Sequence, residues 1–87
     1  MKVHIPSSLR SYTHASQVDA EGATLAEALA DLERRYPGFR FRIVNEQGEL
    51  REHIRIFVNQ QIAPTLLEPL RIDYDVRIIM AISGGRE

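Results

Sequence analysis

Apolar residues recur along this chain with two different periods. From position 24 to 36 they fall at Leu25, Ala28, Leu29, Leu32 and Tyr36, one stripe at helical spacing, with Glu27, Asp31 and Arg34 elsewhere on the surface. Thr24 followed by Glu27 has capping-box spacing, so a helix is predicted to begin there, and Pro37-Gly38 ends it. Three other stretches alternate with period two. Lys2-Val3-His4-Ile5 reads as a short half-buried strand that Pro6 closes. Residues 53–58 form a strand with Ile54, Ile56 and Val58 on one face and Arg55 and Phe57 on the other. Residues 76–81 form the last strand, with Val76, Ile78 and Met80 toward the core and Arg77, Ile79 and Ala81 away from it.

The remaining elements are weaker. Residues 11–16 read as a turn and 16–20 as a second strand, which completes an N-terminal hairpin. Phe39, Phe41 and Ile43 alternate like a strand, although helix or irregular structure also fits residues 39–52. A short edge strand is expected near 61–63, a turn around 65–69, and another at Asp73-Tyr74-Asp75. The order is ββαββ, with four or five strands in a mixed sheet and one main helix. It is an α+β fold in which a single helix covers one sheet face and leaves the other open. Residues 1–81 make one domain, and 82–87 form a tail.

Composition narrows what such a domain can do. With 87 residues there is room for one small core, and a deep substrate cleft would compete with it. Cys is absent, which removes disulfides, thiolate metal sites and a Cys nucleophile. A net charge of −1 argues against a nucleic-acid footprint. No apolar run approaches the ~20 residues that span a membrane, and the first residues lack the apolar region of a signal peptide. The expected compartment is cytoplasmic. Lys2 is the sole Lys beside ten Arg, so the chain has almost no side-chain amine to accept an isopeptide bond.

Candidate catalytic groups do not assemble into a motif. His4, His14 and His53 lack metal-site spacing, and no metal site is expected. Ser7, Ser8 and Ser83 have no nucleophile elbow around them. The carboxylates are scattered, and no Gly-rich loop cradles a phosphate. The ending Ile82-Ser83-Gly84-Gly85-Arg86-Glu87 is the exception. Two adjacent glycines lack Cβ atoms and can thread a channel too narrow for other residues. They also fit a plain frayed terminus.

The element order, the capped helix, Ile56-Phe57-Val58-Asn59, and a last strand running into Ala81-Ile82-Ser83-Gly84-Gly85 together resemble the MoaD/ThiS sulfur-carrier proteins, which are ubiquitin-like β-grasp domains. Lys2-Val3, Ile5-Pro6, Leu9-Arg10, Leu32-Glu33, Tyr36-Pro37-Gly38 and Pro69-Leu70 extend the resemblance over nearly the whole chain. It implies a carrier, not an enzyme. A ubiquitin-activating-like partner would use ATP to adenylate the carboxyl of Gly85, and a sulfur donor would convert it to a thiocarboxylate. A sulfur-accepting enzyme would then use that sulfur in molybdopterin-, thiamine- or amino-acid-type biosynthesis. The carrier itself would hold no cofactor. Ile82, Ser83 and Gly84 would share the partner's channel, and Pro6, Phe57, Ile62 and Ile79 would form an apolar contact patch on the open face.

Two departures from the family stand out. Tyr74 occupies the place of a turn glycine. Gly85 is followed by Arg86-Glu87, so its carboxyl sits in a peptide bond that a JAMM-type zinc peptidase would have to hydrolyse. The alternatives are a protein modifier conjugated through Gly85 and a non-covalent β-grasp interaction module.

Overall fold

A computed structural model describes residues 1–80. Ala81, at the predicted end of the last strand, and the tail residues Ile82, Ser83, Gly84, Gly85, Arg86 and Glu87 lie outside the described residues.

Five strands form one mixed sheet: β1 (Lys2–His4), β2 (Gln17–Asp19), β3 (Ile54–Val58), β4 (Gln61–Ile62) and β5 (Asp75–Met80), in the order β2-β1-β5-β3-β4. The central pair β1 and β5 is parallel, with Val3 opposite Val76. The other pairings are antiparallel. This is a β-grasp sheet, and its strands and main helix follow the sequence order ββαβββ.

Helix α2 (Leu25–Arg35) lies across one face. Thr24 caps it by accepting from the amide of Glu27 at 3.3 Å. Glu27 in turn accepts from the amide of Ala23, one residue before the cap, at 3.0 Å. The capping box therefore closes one position wider than the usual reciprocal pair. Leu25, Ala28, Leu29 and Leu32 are buried against Val3, Ile5, Ile54, Ile56, Val58, Val76 and Ile78, the inward positions of the sheet. Met80 is only partly buried at the edge of this core.

One segment differs from the sequence reading, and one that it left open is decided. The expected turn at 11–16 begins as a short helix, α1 (Arg10–Thr13), which ends where His14 adopts a left-handed conformation at φ 58. Thr13 is its buried position, and Leu9, in the 3₁₀ turn just before it, is buried four residues earlier. Residues 39–43 are not a strand. Arg40–Arg42 make a 3₁₀ turn, so Phe39 and Ile43 share its inner side and Phe41 points out. Phe39 meets Tyr12 edge-on at 6.2 Å between ring centroids. Glu33 fixes this turn by accepting from the amides of Gly38 at 2.9 Å and Arg40 at 2.8 Å.

Candidate functional site

The open sheet face is built by strand parity and one tight turn. Asn59 and Gln60 join β3 to β4 with φ of 51 and 73. Two consecutive left-handed residues are the signature of a type I′ hairpin turn. The turn sets the register Val58 to Gln61 and Phe57 to Ile62, so Ile62 stands directly opposite Phe57. Asn59 also ties the hairpin to the start of β5. Its amide donates to the carbonyl of Asp75 at 2.8 Å, and its side-chain oxygen accepts from the amide of Asp75 at 2.9 Å.

Across the face, one row runs Gln17, His4, Arg77, Phe57, Ile62 through paired positions on all five strands. Toward the end of β5, Ile79 stands opposite Arg55. Pro6 and Ile79 line a common shallow recess of about 310 Å³. The four apolar residues singled out from the sequence thus share the face that α2 does not cover. Ile62 is 54% exposed and Ile79 38%, whereas Phe57 and Pro6 are half-buried.

The polar residues on this face were not anticipated as a group. Asp75 accepts from Nε2 of His4 at 2.6 Å. Arg55 turns back on its own strand and donates to the carbonyls of Glu52 and Ile54 at 2.8 and 2.9 Å. Arg10 donates through Nε to the carbonyl of Ile5 at 3.0 Å. The alternation in β5 already placed Arg77 outward, but the His4–Asp75 pair depends on parallel pairing of residues 71 apart, which no local pattern carries. Tyr74, in the position of a family turn glycine, is not among the residues with positive φ. The turn closes from the amide of Tyr74 to the carbonyl of Arg71 at 3.0 Å.

Among the described residues no group of three or more His, Asp or Glu side chains could hold a metal. Nor is any helix there long and apolar enough to cross a membrane. Among the described residues, two carboxyls of α2 are held below their ordinary range. The amide of Glu21, then the guanidinium of Arg35, hold Asp31 below the usual carboxylate range. The amides of Gly38 and Arg40 do the same for Glu33. Each anion binds backbone and lies away from the open face, so both serve the fold. Ser8 donates its hydroxyl to the sulfur of Met80 at 3.1 Å. The described part of the molecule offers a contact surface, and the residues proposed to react lie after it.

The sequence profile of the ThiS family matches residues 3–85. The chain belongs to the ThiS family. It is 32% identical to the sulfur carrier protein CysO of Mycobacterium tuberculosis over 95% of this chain and 96% of that protein. A chain in the crystal structure of the Amycolatopsis orientalis BexX/CysO complex superposes with a TM-score of 0.89 at 32% identity, covering 97% of this chain and 98% of that one. The small archaeal modifier protein SAMP1 from Haloferax volcanii gives a TM-score of 0.79 at 27% identity, with 98% of each chain covered. Family membership and the CysO likeness support a sulfur-carrier role, and the ThiS match ends at Gly85, the second glycine of the pair.

Proposed function

We propose that this ThiS-family chain carries sulfur as a thiocarboxylate on Gly85. The observation that carries the reading is a family match that runs through Gly84-Gly85 and stops there. In the proposed cycle a peptidase of the JAMM zinc type hydrolyses the peptide bond after Gly85. An adenylating enzyme then directs the freed carboxylate onto the α-phosphorus of ATP, and pyrophosphate leaves. A hydrosulfide equivalent attacks the acyl carbon, AMP departs, and the thiocarboxylate remains. The sulfur passes to an acceptor enzyme in cofactor or amino-acid biosynthesis.

The chain's own part is to dock and to present its end. The exposed side chains of Ile62 and Ile79, beside Phe57 and Pro6, suit a partner contact. The A. orientalis BexX/CysO complex supports the idea that such carriers dock on partner proteins. The adenylation chemistry needs a metal–nucleotide site and a sulfur donor, which belong to the partners. Since the chain has no Cys, sulfur bound to it covalently in this way rides on a carboxyl.

Pyrophosphate release by the organism's own adenylating enzyme tests the reading. Protein ending at Gly85 should support ATP-dependent release, whereas protein retaining Arg86-Glu87 should not. Equal release from both, or from neither, overturns it. The likeness to SAMP1, named a modifier protein, supports a second reading in which Gly85 is conjugated to lysines of other proteins. High-mass conjugates that disappear when Gly85 is deleted would favour that one.

A further inference from the structure

The recess beside Ile79 has a one-sided charge. Its lining includes His4, Arg10 and Arg77 together with Pro6 and Ile79, and no acidic side chain among the described residues lines it. Ser16 and Gln17 also line it and are uncharged, and of the charged side chains around it all but one have a hydrogen-bond partner among the described residues. His4 takes the carboxylate of Asp75, the nearest acid on the same strand and face as Arg77. Arg10 and Arg55 donate to backbone carbonyls. Arg77 has no ion pair or side-chain hydrogen bond among the described residues, yet it stands between His4 and Phe57 in the middle of the row that ends at Ile62.

A partner that covers Phe57, Ile62 and Ile79 necessarily covers Arg77. A guanidinium stripped of water without a counter-charge opposes binding strongly, whereas one met by a carboxylate in bidentate geometry fixes the register of the two surfaces. The two acids of this face, Asp19 and Asp75, lie one row farther from the end of β5. The charge along the strands therefore runs from mixed to basic as the chain approaches its terminus.

We propose that this recess is a socket for an Asp or Glu side chain of the adenylating enzyme, set among apolar contacts, with Arg77 as the specificity-determining cation. The inference rests on the sulfur-carrier reading and adds the chemistry of the partner's surface. Arg77 acts by docking the partner and does not touch the reacting carboxyl.

The test uses protein ending at Gly85 and the organism's own adenylating enzyme, with pyrophosphate release measured against carrier concentration. Arg77→Glu should raise KM roughly tenfold or more with little change in kcat, because it repels the partner's acid. Arg77→Lys should fall between, since it keeps the charge and loses the fork. Raising salt from about 50 to about 500 mM should raise the wild-type KM and leave that of Arg77→Gln nearly flat. Arg34→Glu, on the exposed side of α2, should match the wild type. Circular dichroism melts should show every variant folded. Failure of the wild type to be adenylated overturns the functional reading and this inference with it. An active wild type whose KM is matched within twofold by Arg77→Glu overturns this inference alone. So does an Arg77-dependent dimer in sedimentation with unchanged partner kinetics, which would make a second copy of the chain the occupant.

Discussion

Replacing Glu33 by Ala removes the carboxylate that holds the turn after α2. Two amides lose their acceptor, Gly38 at 2.9 Å and Arg40 at 2.8 Å. Hydrogen bonds to a charged group contribute about 1.5–3 kcal/mol each in favourable settings. Glu33 is half-buried and water reaches the exposed Gly38 amide, so about 1 kcal/mol apiece is the better figure here. The expected loss is roughly 2 kcal/mol, or about 8–16 °C in Tm for a domain of this size. Phe39, fully buried beyond the same turn, would lose its anchor, and amide exchange across residues 38–42 should quicken.

The pH dependence gives a sign that a simple packing loss would not. The two amides hold the carboxyl of Glu33 below its ordinary value of 4.5 in the folded state. Its contribution is therefore complete above that value and disappears as pH falls through the lower, folded one. Chemical denaturation of wild type and Glu33→Ala should show the full gap at about pH 7, shrinking toward about pH 3. A gap below about half a kcal/mol at neutral pH, or one unchanged between the two pH values, would show that the Glu33 carboxylate does not anchor the turn.

Other substitutions probe the turn, the helix approach and the open face. Gln60 holds φ 73 without being Gly, so Gln60→Gly should raise stability by up to about 1 kcal/mol in urea titration, strain relief slightly outweighing chain entropy. A Cβ at Gly22 would lie 2.6 Å from the backbone nitrogen of Ala28. Gly22→Ala should therefore lower the unfolding free energy from denaturant titration by about 2–4 kcal/mol, since a helix backbone cannot yield as a flexible side chain would. Ile62→Ala with Ile79→Ala should raise KM for adenylation about tenfold while changing stability by less than about 1 kcal/mol, because both side chains are exposed in the free protein.

The parts of the fold with a long regular period were legible from the chain alone. Leu25 to Leu32 at helical spacing and Ile54-Ile56-Val58 at strand spacing each admit one reading, and the structure has α2 and β3 there. Phe39, Phe41 and Ile43 were ambiguous because residues at i, i+2 and i+4 satisfy a strand, while i and i+4 alone satisfy a helical turn. Tertiary contact with Tyr12 and the Glu33 bonds select the turn. Helix α1 escaped notice because four residues carry too little pattern. For the site, parity placed Phe57 and Ile79 on one face, and the Asn59-Gln60 turn brings Ile62 beside them. That Arg77 stands unpaired among the described residues needed the register of three strands and the pairing of His4 with Asp75, information that lies between distant segments.

The proposed function stands or falls on a thiocarboxylate at Gly85. Intact-mass spectrometry of the protein from its native host, grown so that its sulfur pathway is active, tests it most directly. The expected species ends at Gly85, part of it heavier by the exchange of one oxygen for sulfur, with alkylation by iodoacetamide confined to that fraction. Protein found only with Arg86-Glu87 attached, or ending at Gly85 with no sulfur-bearing fraction, would contradict it.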